Sequence, residues 1–538
     1  MKVISAAEAA ALVGDGDTIL IGGSGGGHSV PDALMAAVEQ RFVASAQPRN
    51  ICAIHPVGLG DRVSMGASRF ARAGLLKRIV CGALVDSPAV AAMAISGDVE
   101  AYTLPQGVLS QLVREIAAGR PGLFTHVGLH TFVDPRKGGG RQSETATESL
   151  VEVVELGGRE WLFYKPFNID VAFIRGTTSD EDGNISMEHE AVYGEMLSMA
   201  QAARNCGGIV IAQVKRMAAR NSLPAKSVKV PGMLVDAVVL VPDQSQTFRT
   251  QYDAAYAGEI RVPASSFPRL QLDARKVVAR RAALELRPNA ICNIGSGIST
   301  GLPLIAAEED VLDRIILTNE QGVVGGIPVD GYDFGAGRNY SALIDQPYQF
   351  DFYDGGGIDL AYLSAAEIDR EGNVNVSRFA DKIIGIGGFV NISQGSKKVM
   401  FSGTFTAGGL EVECVDGGLR IVQEGRNRKF VEKVNQISFS GRYSAQRGQQ
   451  ILFLTERAVF RLNDGELELI EIAKGIALEE QVLGLMDFMP RISPHLKLMD
   501  ERLFRVGAMG LKADLAAAAE SVHPKFRALA DGVAVRVE

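Results

Sequence analysis

The chain has 538 residues, a net charge of −8 at pH 7, and 46% hydrophobic against 22% charged residues. These proportions are typical of globular proteins and exclude disordered and fibrous classes. The acidic balance leaves no basic excess for phosphate backbones, and no cluster of Lys and Arg with interleaved aromatic residues occurs. We therefore expect no nucleic-acid partner.

Residues 1–23 combine an alanine-rich helical pattern with the strand-like TILIGG, and Glu8 interrupts the apolar stretch. This is not the pattern of a signal peptide. No run reaches the ~18 apolar residues that a membrane-spanning helix needs. The five cysteines include no CxxC pair, and three of them lie within apolar runs, so we expect reduced thiols. Together these features predict a cytoplasmic protein with no membrane partner.

From residue 1 to about residue 242, apolar strand-like runs alternate with helical patterns. The predicted strands are 18–21, 50–54, 77–84, 123–130, 169–174 and 209–213, and the predicted helices are 31–43, 68–76, 108–118 and 190–204. Such alternation is typical of βαβ units with right-handed crossovers and a mostly parallel sheet.

Two segments of the first half resemble two segments of the second half, in the same order. Residues 17–31 align with residues 289–303, and residues 169–187 align with residues 358–376. The identical pairs include the following: Gly23/Gly295, Gly25/Gly297, Asp170/Asp359 and Asp180/Asp369. The repetition indicates a duplicated α/β unit.

We therefore predict an α/β protein of two homologous open domains with mostly parallel sheets. The first covers residues 1–245 and the second residues 273–538, with a polar, proline-containing linker at residues 246–272. Beyond residue 402 further strand-like runs elaborate the edge of the second domain, and helical segments end the chain.

The segment RIILTNEQGVVGGIP at residues 314–328 carries the main functional signal. It places Glu320 after a short apolar run of the buried-strand type and before a glycine-rich turn, where open α/β sheets place their ligands. Aligning residues 50–56 with residues 314–320 puts Pro56 opposite Glu320, so only the second half has this carboxylate. We interpret Glu320 as the reactive group; taken alone, the stretch also fits an exposed loop acid or a strand-end cap.

Three other segments offer backbone or amide donors. GGSGGGH at residues 22–28 lacks the third glycine of a dinucleotide fingerprint, because His28 stands there, and it is too loose for a nucleophile elbow. A tight turn explains it, with room for an anionic part of a ligand at the following helix. GIGGFVNISQ at residues 385–394 reads as glycines before an apolar strand, whose N–H groups could bind an oxyanion. In PQG, Gln106 offers an uncharged amide, although such a residue is more often a solvated cap.

No metal site is predicted. His126 and His130 lie in a segment with a strand pattern, which sets them too far apart to share a metal ion. His189 has acidic neighbours but no partner at ligand spacing. Asp351 and Asp354, in FDFYDGGG, are expected to shape a turn before the next strand.

Taken together, these segments resemble the family I CoA-transferases, specifically the single-chain acetate, propionate or 3-oxoacid type with two fused homologous halves. The resemblance runs from about residue 15 to about residue 465. It is carried by the following motifs: GGSGGG, LPQGVL, IDVAFIRGTTSDEDGNIS, GEIRVP, NIGSGI, TNEQGVVGGIP, FDFYDGGGIDLA, GNVNVS, GIGGFVNISQ, FSGTFTAGG, and ISFSGRY with LTERAVFRL.

The resemblance implies that Glu320 is the nucleophile and that the Gln106 amide and the N–H groups of Gly387 and Gly388 stabilise oxyanions. It implies substrate contacts, including room for the pantetheine arm, at the following residues: Gly325, Gly326, Gly385, Phe389, Gly23 and Gly25. The stretch of His28 and Ser29 departs from the family's small-residue loop, which leaves the CoA contacts of the first domain unmatched.

The implied reaction moves CoA between a short-chain acyl-CoA and a short-chain carboxylic acid through a glutamyl anhydride and a glutamyl-CoA thioester. Coenzyme A is then a substrate, no resident cofactor is needed, and a homo-oligomer is expected. An unperturbed glutamate has a pKa of ~4.3, so Glu320 should be anionic unless burial shifts it. The alternatives are an acyl-CoA thioesterase, a sugar-phosphate isomerase or ligand sensor, and a silent CoA-binding protein.

Overall fold

The computed structural model describes residues 2–379 and 382–518. The strands of the first half are β1 (Lys2–Ile4), β2 (Thr18–Ile21), β3 (Ile51–His55), β4 (Leu76–Cys81), β5 (Glu100–Thr103), β6 (Leu123–Thr125), β7 (Val151–Leu156), β8 (Arg159–Tyr164), β9 (Val171–Arg175), β10 (Thr178–Asp180), β11 (Ile185–Ser186), β12 (Ile209–Val214), β13 (Arg216–Ala218), β14 (Val228–Val230) and β15 (Ala237–Leu240). Its helices are α1 (Ala6–Ala11), α2 (Asp32–Ser45), α3 (Pro88–Ser96), α4 (Gln106–Ala117) and α5 (Met196–Asn205).

The strands of the second half are β16 (Ile291–Ile294), β17 (Ile316–Thr318), β18 (Val323–Val324), β19 (Ile327–Pro328), β20 (Gly337–Arg338), β21 (Ala342–Leu343), β22 (Ile358–Ser364), β23 (Glu367–Ile368), β24 (Val374–Asn375), β25 (Arg378–Phe379), β26 (Lys382–Ile383), β27 (Ser396–Ser402), β28 (Thr406–Ala407), β29 (Glu411–Val415), β30 (Gly418–Gln423), β31 (Asn427–Arg428), β32 (Gln450–Leu454), β33 (Ala458–Asn463), β34 (Glu466–Ile472) and β35 (Arg491–Leu498). Its helices are α6 (Ala274–Ala283), α7 (Gly301–Glu308), α8 (Gln346–Asp354), α9 (Phe389–Gly395), α10 (Gly441–Gln446), α11 (Leu478–Gln481) and α12 (Leu511–Ala517).

Two large sheets organise these elements. The first has the order β1-β15-β12-β9-β2-β3-β4-β5, with every neighbouring pair parallel. The second has the order β21-β18-β17-β16-β22-β27-β32-β33-β34-β35 and is parallel from β17 to β32. Strands β32 to β35 extend it with antiparallel and parallel pairs. The predicted α/β class, with an elaborated second unit, is confirmed; the exact domain boundaries stay a prediction.

The aligned aspartates have the same bonding in both halves. Asp170 accepts the Thr18 N–H at the start of β2, and Asp359 accepts the Ile291 N–H at the start of β16, at 2.8 and 3.0 Å. Asp180 folds its own turn by accepting N–H groups two and four residues later, and Asp369 does the same. The repeated motif therefore marks repeated turn geometry, not chemistry.

We expect Asp180→Ala to lower the free energy of unfolding by about 2 kcal/mol, because the turn loses the acceptor of its backbone donors. Asp180 is 1% exposed, so water does not replace that acceptor. Urea unfolding followed by circular dichroism measures the loss. Asp180→Asn keeps one oxygen and should lose less; equal stability of all three proteins would contradict the assigned role.

Two predicted helices are wrong in part. The helix predicted over residues 68–76 is only a short 3₁₀ turn, Gly66–Phe70, and Leu76 already belongs to β4. Between them Gly74 has a left-handed φ of 85°, which a helix does not accommodate. The helix predicted from residue 190 begins only at Met196. The residues before Met196 are not helical, and among them Glu190 forms a buried ion pair with Arg175.

The strand predicted over residues 123–130 ends at Thr125. Gly128 and His130 have left-handed φ values of 102° and 64°, which no strand accommodates. His126 and His130 therefore do not share a strand face. All five cysteines are free. Within the described ranges, no helix is long and apolar enough to cross a bilayer.

Candidate active site

Glu320 follows β17 at the carboxyl edge of the second sheet. Glu320 is 8% exposed, and the Gln321 Nε2 lies 3.4 Å from the Glu320 Oε1. Its Oε2 is buried and has no hydrogen-bond partner among the residues that the structure describes. Over the same residues, Glu320 takes part in no ion pair. Burying a carboxylate oxygen without a hydrogen-bond donor lowers the free energy of unfolding, so a purely structural role does not explain this position.

Burial raises the pKa of the Glu320 carboxyl above the ordinary value of glutamate. Nearby polar groups, namely its own N–H and the side chains of Gln321 and Asn293, lower the pKa and offset part of this effect. The structure thus differs from the expectation of an unperturbed glutamate. A destabilised anion is more basic, and as a nucleophile it is correspondingly more reactive.

The glycine loop at residues 385–388 lies against Glu320. A Cβ atom placed on Gly388 would be 3.3 Å from the Glu320 Cγ and 3.4 Å from the Phe350 ring. The strand predicted after the loop is wrong, because α9 begins at Phe389 with Gly388 as its N-cap. The apolar residues that suggested a strand are instead buried around this short helix.

The first half of the chain holds the loop in place. Gly387 donates its N–H to the Gly82 carbonyl at 2.8 Å, and its own carbonyl accepts the Gln106 N–H at 2.9 Å. The Gly387 N–H is therefore already used. The Gly388 N–H has no acceptor in the described part of the chain, which leaves it available to a substrate oxygen.

Gln106 is not a solvated cap: it is 1% exposed, at the first position of α4. Its Nε2 donates to the Gln346 Oε1 of α8 at 3.0 Å. Its Oε1 lies 3.7 Å from the position of a Cβ on Gly387. The structure thus brings Gln106 and Glu320 to the same glycine loop, one at Gly387 and the other at Gly388.

Asp351 and Asp354 do not shape a turn but lie on α8 and bind the first half. Gln111 of α4 donates to both carboxylates, at 3.1 and 3.0 Å. Asn391 of α9 also donates to Asp354, at 3.0 Å. Burial raises the pKa of Asp354 to about 7, although these amide donors oppose it. Helices α4, α8 and α9 are thus tied together beside the glycine loop.

The loop with Gly23 and Gly25 also faces the second half. The Ser24 Oγ lies 3.5 Å from the Gln321 Nε2, and the His28 Nε2 lies 3.2 Å from the Phe334 carbonyl oxygen. Burial lowers the pKa of His28, which therefore stays neutral in this contact. The residue that departs from the family pattern is part of the contact between the halves.

Four other predicted substrate residues have structural partners instead of contacts with Glu320. Gly325 and Gly326 pack on residues 338–341, where any Cβ would meet Ser341 or backbone atoms. A Cβ on Gly385 would lie 2.4 Å from the Ala83 Cα, and the Phe389 ring packs on Phe401. Their proposed roles in substrate binding stay predictions.

Two residues near Glu320, Asn293 and Gln321, were not predicted from the sequence, and both lower the pKa of its carboxyl. A signal for Asn293 was present, since the internal repeat aligns it with the apolar Ile21. This is the same asymmetry that singled out Glu320. Polar residues at the carboxyl ends of adjacent parallel strands converge, and that rule would have joined the two.

One well-formed cavity of the described residues lies away from this site. It has a volume of about 630 Å³, lies at the amino ends of β2 to β4, and is lined by residues such as Cys52, Arg78 and Tyr164. No three His, Cys, Asp or Glu side chains of the described residues are grouped as metal ligands would be. The convergence of Glu320, Gln106 and Gly388, and not cavity size, therefore marks the candidate site.

Comparison with known proteins agrees with the geometry. The coenzyme A transferase family profile matches residues 3–240. The acetate CoA-transferase YdiF of Escherichia coli O157:H7 is 46% identical over 95% of this chain and 96% of its own length. The caffeate CoA-transferase of Acetobacterium woodii is 45% identical over 94% and 97%. The crystal structure of the E. coli YdiF thioester complex with CoA superposes with a TM-score of 0.90, at 45% identity, over 95% and 97% of the two chains. The chain is therefore an enzyme of the CoA-transferase family, of the single-chain family I type.

Proposed function

We propose that the enzyme transfers CoA between short-chain acyl-CoAs and short-chain carboxylates by a ping-pong reaction at Glu320. The observation that carries the proposal is the buried Glu320 carboxylate, whose Oε2 has no donor among the described residues. Such an oxygen retains its nucleophilicity. A relative that is 45% identical forms a thioester complex with CoA, which agrees with this chemistry.

The reaction begins when a Glu320 oxygen attacks the thioester carbonyl. The carbon–sulfur bond breaks, CoA leaves as a thiolate, and an acyl-glutamyl anhydride forms. The thiolate then attacks the glutamyl carbonyl, which releases the first carboxylate and leaves a glutamyl-CoA thioester. A second carboxylate reverses these steps, so no proton or water is consumed and the thioester free energy is retained.

Each attack places negative charge on a carbonyl oxygen. The free Gly388 N–H and the second N–H of the Gln106 Nε2 are the donors we assign to it, each worth ~3 kcal/mol in the transition state. The Gly387 N–H is excluded, because the Gly82 carbonyl already accepts it. The burial of Glu320 also keeps water from the anhydride, which would otherwise hydrolyse.

The reaction needs no resident cofactor, because coenzyme A is the substrate and Glu320 supplies the covalent step. We further propose that the enzyme is a cytoplasmic homo-oligomer that acts on small molecules and binds neither nucleic acid nor membranes. The two relatives named above use different acids, acetate and caffeate by name, at nearly equal identity to this chain. Acetate and caffeate are therefore the first acceptors to compare.

The test is to trap the thioester. The enzyme is incubated with acetyl-CoA without an acceptor, treated with borohydride, and mapped by peptide mass spectrometry. We expect reduction of Glu320 to the alcohol in the wild type and none in Glu320→Gln. An unmodified Glu320 in folded enzyme with several acyl-CoAs would overturn the mechanism, and steady CoA release without an acceptor would indicate a thioesterase.

The rate of thioester formation should fall as the pH drops through the Glu320 pKa, because only the anion attacks. Burial raises that pKa, so the loss occurs at a higher pH than for an ordinary glutamate. Gln321→Leu removes a hydrogen bond that lowers the pKa and should move the acid limb further upward. Single-turnover rates across pH measure the shift. A downward shift, or none, would contradict the role of Gln321.

A further inference from the structure

Glu195 is a buried carboxylate that the proposed reaction does not use. It precedes α5, is 1% exposed, and forms no ion pair in the part of the chain that the structure describes. Its Oε2 accepts from the Ser110 Oγ at 2.9 Å and from the Gln346 Nε2 at 2.8 Å. Its Oε1 is buried without a partner among the described residues. A buried carboxylate with so few hydrogen-bond donors is unusual unless its charge orients another group.

The contacts of Glu195 lead to the candidate site. Gln346 donates to Glu195 through Nε2 and accepts from the Gln106 Nε2 through Oε1, at 2.8 and 3.0 Å. Ser110 lies four residues after Gln106 on α4, so both face the same side. The Gln346 N–H also donates to the Gly194 carbonyl at 2.9 Å, which fixes the start of α8 against this segment.

An ionised carboxylate can only accept hydrogen bonds. Gln346 must therefore turn its nitrogen to Glu195 and its oxygen to Gln106. Gln106 must in turn present its nitrogen to Gln346, which leaves the second Nε2 N–H unused by the relay. In this orientation the Gln106 Oε1 lies beside Gly387 and one Nε2 N–H stays free of partners among the described residues. If Gln346 turned round, Gln106 would follow, and its nitrogen and oxygen would exchange places.

We infer that Glu195 and Gln346 are positioning residues that fix the orientation of the Gln106 amide beside the glycine loop, with one Nε2 N–H left free for a substrate oxygen. The inference rests on the proposed function, in which Gln106 stabilises the oxyanion. Burial raises the pKa of Glu195 to about 7; the Ser110 hydrogen bond opposes the rise and the nearby Asp345 carboxylate adds to it. The relay is therefore tested at a pH well above 7, where Glu195 is ionised.

The first variant is Gln346→Met, which keeps the length of the side chain and removes the amide. We expect kcat and the rate of thioester formation to fall about tenfold with KM unchanged, less than the ~10²–10³-fold expected for removing an oxyanion donor outright. The second variant exchanges the pair, Glu195→Gln with Gln346→Glu. It again places an acceptor-only group beside Gln106, so we expect kcat to return to within about threefold of the wild type.

The third measurement repeats Gln346→Met in a Gln106→Leu background. If Gln346 acts through Gln106, it should cost nothing further there. The same tenfold loss in both backgrounds, a change in KM alone, or a folded exchange variant without recovery would each overturn the relay. Thermal unfolding verifies the fold of every variant. Absence of thioester in the wild type would instead defeat the proposed function itself, so the two failures are distinguishable.

Discussion

Replacing Glu320 by glutamine is expected to lower kcat by at least ~10⁴-fold and to abolish the trapped CoA adduct. Glutamine has nearly the same shape, and the buried surroundings of Glu320 contain no compensating cation among the described residues, so the fold should persist. The amide lacks a nucleophilic oxygen anion, and no anhydride can form on it. Steady-state kinetics with acetyl-CoA and an acid acceptor measure the loss.

Two further variants calibrate that result. Glu320→Asp keeps the charge but moves the carboxylate back by roughly 1.5 Å. Because a 1 Å misplacement of a reacting group costs ~10²-fold in rate, we expect kcat to fall by at least that factor. Glu466→Gln changes an exposed glutamate of β34 and should leave kcat unaltered. If Glu320→Gln retained more than a tenth of the wild-type activity, Glu320 would not be the nucleophile.

The fold was predictable where local pattern and tertiary structure agree. Apolar runs such as residues 18–21 and 209–213 became central parallel strands, since a strand buried on both faces leaves an uninterrupted apolar signal. The internal repeat was also informative. Its aspartates, Asp170 and Asp359, turned out to bond the start of an adjacent strand in each half.

The fold was not predictable where the tertiary environment overrides local preference. The apolar run after Gly388 reads as a strand, yet it forms α9, because buried helices and buried strands share the same composition. Likewise, the pattern of residues 123–130 does not show that His130 takes a left-handed φ. Such features depend on contacts between residues far apart in the chain.

Within the candidate site, the sequence pointed to the groups that the structure brings together at the glycine loop: Glu320, Gln106 and Gly388. It could not separate Gly387 from Gly388, because only the structure shows the Gly82 carbonyl taking the Gly387 N–H. It also could not reveal Glu195, whose importance lies in hydrogen bonds that join distant segments. Residue type and spacing suggest chemistry, whereas the distribution of donors requires coordinates.

The second large effect concerns Gln106. We expect Gln106→Leu to lower kcat by ~10²–10³-fold with little change in KM, because the lost donor bonds the carbonyl oxygen mainly as it becomes an oxyanion. Leucine fills the same buried space at the start of α4, where Gln106 is 1% exposed. Measuring kcat and KM separately tests the assignment, since loss of a ground-state contact would raise KM instead.

Gln111→Leu is the matched control, because it removes the same side chain from the same helix and the same contact between the halves. Gln111 binds Asp351 and Asp354, not the glycine loop. Its loss should therefore cost stability, about 1–3 kcal/mol, and leave kcat of the folded enzyme close to the wild type. If both variants lowered kcat equally, the contact between the halves as a whole, and not the Gln106 donor, would limit the reaction.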